Sequence, residues 1–133
     1  MKKKSVLKRV GIILGGIVVL IAVLIGAVAI NMKTAMDQQV NADIDMNQVK
    51  DGVYQGSSDC GLVYAEVEVT VKNHKIETIN LLKHKNGNGK PAEAMLDVMI
   101  AENTDDVDAI SGATASSKTI RNAVNHALQQ GLN

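Results

Sequence analysis

Apolar positions fall into three distinct patterns along this chain. From Val10 to Ile30, twenty-one residues run without a charge or a strongly polar side chain. About twenty apolar residues cross a hydrocarbon core, so the run predicts a transmembrane helix. Its glycines, Gly11, Gly15, Gly16 and Gly26, are tolerable in a bilayer, where a helix keeps its internal hydrogen bonds. Residues 31–49 then mix Gln, Asn, Asp and Met without a period and read as a tether. From Leu62 to Lys72 the period is two. Val63, Ala65, Val67, Val69 and Val71 fall on one face, with Glu66, Glu68, Thr70 and Lys72 on the other. That alternation predicts a half-buried antiparallel strand. Asn73-His74 suits a two-residue turn into a second β-rich run, Lys75 to Lys83, so the two strands make a hairpin.

The third pattern is helical. Pro91 suits a first helical turn, and Met95, Leu96, Met99 and Ile100 place an apolar stripe on a helix reaching about Glu102. Ile120, Ala123, Val124, Ala127 and Leu128 recur at helical spacing, which predicts a final helix with one face on the sheet. Ser116 or Ser117 is expected to cap it. Strands followed by segregated helices give an α+β fold: a small antiparallel sheet with two packed helices, preceded by one transmembrane helix. The expected division is a basic tail at 1–9, the span at 10–30, the tether at 31–49 and a folded domain at 50–133. Its start is marked by the turn-forming Asp51-Gly52.

Charge sharpens this division. The chain is neutral overall, but its first nine residues hold five of the fourteen basic side chains and no acid, leaving the remainder net −5. Basic residues before a span keep that side in the cytoplasm, so the folded domain is expected outside it. Ala27-Val28-Ala29 offers a small-x-small cleavage site, but the run is longer than an ordinary signal core, and an uncleaved anchor is expected. An acidic domain lacks the basic stripe that nucleic acid needs. Phe and Trp are absent and only two Tyr are present, so the core must be aliphatic. With Cys60 the sole cysteine, an internal disulfide, an iron–sulfur cluster and Cys-ligated zinc are all excluded. Cys60 itself suits a packed small side chain in a turn. Redox chemistry, if present, must use an organic cofactor.

Ser111-Gly112-Ala113-Thr114 is the candidate for chemistry. A loop of small residues leads there into a helix start, where free N–H groups and the helix dipole favour a phosphate. Ser111, Thr114, Ser116, Ser117 and Thr119 add hydroxyls. Small hydroxyl residues before a helix are usually just its cap.

Asp108-Ala109-Ile110-Ser111-Gly112-Ala113-Thr114-Ala115-Ser116 resembles the D-x-x-[ST]-G-A-T-x-[ST] signature of the FMN-binding domain family. That family includes the C and G subunits of bacterial sodium-translocating and related electron-transport complexes, and small exported flavoproteins. Asp51 to Ser57 is similar to its D-G-x-Y-x-G-s opening, Val67 to Ile79 to its hairpin, and His84 to Gly89 to its H-K/E-x-x-G loop. The resemblance covers about residues 50–130. It implies FMN joined to Thr114 by a phosphoester that a separate flavin transferase forms, using FAD and magnesium, after export. Asp108 would then be part of what the transferase recognises, and Ser111, Gly112 and Ala113 the turn beside the phosphate, with Ser116 and Ser117 next to it. His84 is a further candidate, either at the flavin or as an exposed loop histidine, and Tyr54 is a candidate to line the ring. The implied role is an electron carrier rather than a stand-alone enzyme, fed by a membrane donor such as a quinol or a dehydrogenase. The alternative is a non-covalent FMN sensor or flavin-delivery module.

Overall fold

The structure is a computed structural model and describes residues 2–37, 39–85 and 89–132. Asn86, Gly87 and Asn88 of the expected glycine loop lie outside the described residues. Two compact units divide near Lys33. The first consists of α1, which spans Lys2–Asp37 and continues past the division. Its best eighteen-residue window has a mean hydropathy of 3.0, long and apolar enough to cross a membrane. Aliphatic side chains such as Ile12, Val18 and Ile30 are exposed along it.

The second unit is α+β. Strands β1 (Gly52–Asp59), β2 (Tyr64–Lys72) and β3 (Lys75–Lys85) form an antiparallel sheet in the order β1-β2-β3. Val63 and the inner side chains of β2, Ala65, Val67, Val69 and Val71, are buried as the alternation predicts. Each buried valine contributes roughly 1.5–2 kcal/mol over an exposed one. Asn73 and His74 both take positive φ, 54° and 61°, the geometry that lets a two-residue turn follow the twist of the strands.

Helices α2 (Met95–Glu102) and α3 (Thr114–Gln129) cover the inner face, α2 beside β3 and α3 across β1 and β2. Pro91 stands in the 3-10 turn Lys90–Ala94 that leads into α2. Asn103 ends α2 in the left-handed conformation. Its side chain accepts from Ile76 N–H at 2.8 Å and donates to the His74 carbonyl at 3.1 Å, tying the helix end to the hairpin.

β1 was not expected as a strand. Its inner positions carry Tyr54, Gly56 and Ser58 in place of branched aliphatics, so the apolar alternation is missing. Small residues are required there because α3 lies directly on the strand. A Cβ on Gly56 would overlap the Ala123 carbonyl oxygen and reach within 2.6 Å of Ala127 N. α3 also caps β1 from the side: His126 Nδ1 is 3.0 Å from the Ser57 carbonyl, and Gln130 Nε2 donates to the Gln55 carbonyl. Occupying backbone acceptors in this way blunts an edge strand.

Residues 39–49, expected as part of a tether, are bonded along α3. Asn125 is wholly buried and treats Ala42 as a neighbouring strand would: its Oδ1 accepts from Ala42 N–H at 3.0 Å and its Nδ2 donates to the Ala42 carbonyl at 2.7 Å. Asn122 Nδ2 holds the Val40 carbonyl and the Asn41 side chain in the same way. Met46 and Val49 close this segment into the core.

Candidate functional site

Gly112 takes φ +81°, a left-handed conformation that side chains rarely adopt. It turns the chain so that α3 begins at Thr114, with Ala113 at the N-cap. The expected cap at Ser116 or Ser117 is thus displaced, for both residues lie inside the first turn and a half of the helix. Ser117 is buried, and its hydroxyl accepts from Ile110 N–H at 2.9 Å and donates to the Ala113 carbonyl at 2.7 Å. It staples the Ile110–Ala113 turn to the helix from beneath.

Above that staple the site is open. Asp108, Ser111, Gly112 and Thr114 are exposed together, whereas Ala113, Ser116 and Ser117 form the buried backing. No side chain caps α3, and the N–H groups of Thr114, Ala115 and Ser116 have no intrahelical acceptor at a helix start. The N–H groups of this first turn, the positive end of a sixteen-residue helix and the hydroxyl of exposed Thr114 make a donor set suited to a phosphate.

His84 joins this site from β3. Its side chain is only 3% exposed, with Nδ1 3.0 Å from Glu93 Oε1 and Nε2 3.1 Å from Ser116 Oγ. The imidazole is therefore a buried support for the first turn of α3, and the reading as an exposed loop histidine is corrected. Its partner Glu93 escaped the sequence analysis; the available signal was an acid in the turn opened by Pro91. Lys83, Lys85 and Lys90 are exposed.

Tyr54 is not brought to the site. Its hydroxyl donates to the Lys50 carbonyl at 2.6 Å, and its ring packs beside Gly131, past the far end of α3. Sixteen helical residues place that end about 24 Å from Thr114. Tyr64, the other aromatic, lies on β2 with its hydroxyl 3.0 Å from Glu66 Oε2. The hydrogen bond to that carboxylate, with partial desolvation, raises the phenol pKa above its ordinary value near 10. Cys60 is buried, and the Thr119 hydroxyl lies 3.5 Å from its sulfur, in keeping with a packed thiol. Among the described residues no cluster of His, Cys, Asp or Glu could hold a metal ion.

A three-stranded sheet backed by a helix with an open, uncapped start defines a small domain for a phosphate-bearing ligand. The model of the FMN-binding domain family matches residues 63–129, half of the chain, and the chain belongs to that family. The match runs through β2, β3, α2 and α3, including the whole candidate site. FMN is the cofactor, and the donor set at Thr114 fits its phosphate. No curated protein and no solved structure matches the chain.

Proposed function

We propose that this protein is a membrane-anchored, extracytoplasmic electron carrier whose FMN is held covalently at Thr114. The observation that carries the proposal is the Thr114 hydroxyl, on an exposed residue and without a hydrogen-bond partner among the described residues, at the uncapped start of a long helix. It is accessible to a second protein and costs the fold nothing to modify.

In the proposed loading reaction, a flavin transferase brings FAD and magnesium. Thr114 Oγ attacks the phosphorus on the FMN side of the FAD pyrophosphate. An O–P bond forms, the P–O–P bridge breaks, AMP leaves, and the hydroxyl proton passes to a base of the transferase or to water. Magnesium held by the transferase would offset charge on the pyrophosphate oxygens. The N–H groups of the first turn of α3 would then hold the phosphodiester. The exposure of Asp108, six residues before Thr114, supports a part for it in recognition by the transferase.

A covalent tether matters outside a cell because it prevents loss of the cofactor by dilution. The isoalloxazine ring supplies one- and two-electron chemistry when bound. The five basic residues before the span support a cytoplasmic N-terminus and a flavin domain outside, where a quinol or membrane dehydrogenase would be its donor.

The test is co-expression with a flavin transferase, followed by denaturing electrophoresis and intact mass. The wild-type chain is expected to stay fluorescent and to gain the mass of FMN less water, with neither signal in Thr114→Ala. Flavin that is present in the native protein but lost on denaturation identifies a non-covalent module instead.

A further inference from the structure

Glu93, His84 and Ser116 form a continuous hydrogen-bonded chain that ends in the first turn of α3. Its middle is sealed: the His84 side chain is 3% exposed and Ser116 is 1% exposed, while Glu93 is 32% exposed at the surface end. A carboxylate can only accept, so His84 Nδ1 must donate to Glu93. In the neutral imidazole this leaves a lone pair on Nε2, which accepts the Ser116 hydroxyl proton. In that neutral form each link sets the direction of the next. Ser116 lies two residues after Thr114, in the first turn of α3, whose N–H groups have no intrahelical acceptor.

From this we infer that Glu93 is a positioning residue for the flavin site. By fixing the tautomer of His84 it locks Ser116, and so holds the first turn of α3 in the orientation that presents Thr114 and the neighbouring N–H groups to the incoming phosphate. Three elements meet here: the turn before α2, the end of β3 and the start of α3. The Ser117 staple fixes the loop before the helix, while the Glu93 chain fixes the helix to the sheet. Displacing the acceptor of a group transfer by a fraction of an ångström costs rate without costing the fold. The inference rests on the reading of Thr114 as the flavin acceptor.

Two measurements on the full chain in detergent micelles test it. The first uses the apo protein with nitrogen-labelled histidine. Wild type is expected to show His84 as a single Nδ1–H tautomer, and Glu93→Gln to shift that tautomer ratio, because an amide can donate as well as accept. The second follows covalent FMN loading by a flavin transferase with FAD and magnesium. Glu93→Gln and Ser116→Ala are expected to lower kcat for loading about tenfold with KM for the chain nearly unchanged. Ser116→Thr, which keeps the hydroxyl, is expected to restore most of the rate.

A Glu93→Gln chain that loads as fast as wild type overturns the inference and leaves Thr114 as acceptor untouched, provided Thr114→Ala takes no flavin. An unchanged tautomer ratio in Glu93→Gln overturns it as well. Wild type that takes no covalent flavin, or Thr114→Ala that still takes it, overturns the acceptor reading and this inference with it.

Discussion

Toward the C-terminal end of α3, Gly56 lets the helix backbone rest on β1; at its N-terminal end, Gly112 bends the chain in open space. A Cβ on Gly56 would collide with the backbone at Ala123 and Ala127, whereas one on Gly112 would meet nothing within 4 Å. One glycine is there for close approach and the other for its φ of +81°. The two ends of one helix are thus built on different principles. The far end is committed to packing, and its small residues are filled space. The near end is open, and in the proposed function its small residues leave room for a ligand.

The largest expected effect of breaking this contrast is at Gly56. Gly56→Ala should cost about 3 kcal/mol, because the obstruction is backbone on the helix and neither side can yield without separating α3 from the sheet. Chemical denaturation, read as a drop in midpoint at unchanged slope, measures it. A loss below about 1 kcal/mol would mean that α3 slides easily over β1, and the description of a tightly seated helix would be wrong.

What the sequence made legible follows the same division. The β2–β3 hairpin was readable because Val63 to Val71 alternates without interruption and Asn73-His74 supplies both positive-φ residues. β1 was unreadable because contact with a helix backbone selects glycine and serine, which carry no hydrophobic signal. Residues 39–45, within the stretch 31–49 that reads as a tether, are illegible for a related reason. Their partners are Asn122 and Asn125, polar side chains on a helix whose apolar stripe had already accounted for its buried face. The signature around Thr114 was legible as a motif. Its support by Glu93 was not, since the residues of that chain are far apart in sequence and only the fold brings them together.

Asn125 gives the second effect. Asn125→Ala would remove bonds to Ala42 N–H, the Ala42 carbonyl and Asp105, leaving partly buried groups unpaired. About 2 kcal/mol should be lost, and hydrogen exchange at Ala42 should accelerate more than at the β2 amides. Equal acceleration everywhere would show that residues 39–45 are no separate layer but melt only with the whole domain.

Gly112→Ala comes third, at about 1 kcal/mol, because only backbone strain is introduced and no atom is struck. The informative result is the ratio to Gly56→Ala. Near equality would mean that the turn before α3 is as tightly enclosed as the helix seat, contrary to its exposure.

The smallest effect on stability is expected at the residue given the greatest chemical importance. Thr114 is exposed, its side chain has no partner among the described residues, and as the first helical residue it contributes little through its own rotamer. Thr114→Ala should therefore leave the denaturation midpoint within about 0.5 kcal/mol of wild type, while abolishing covalent flavin. That pairing of a negligible structural cost with a complete chemical loss is what a presented acceptor requires. A substantial loss of stability in the apo protein would mean that the hydroxyl is also a cap, competing with the phosphate for the same N–H groups. The near end of α3 would then be divided between folding and chemistry, as its far end is not.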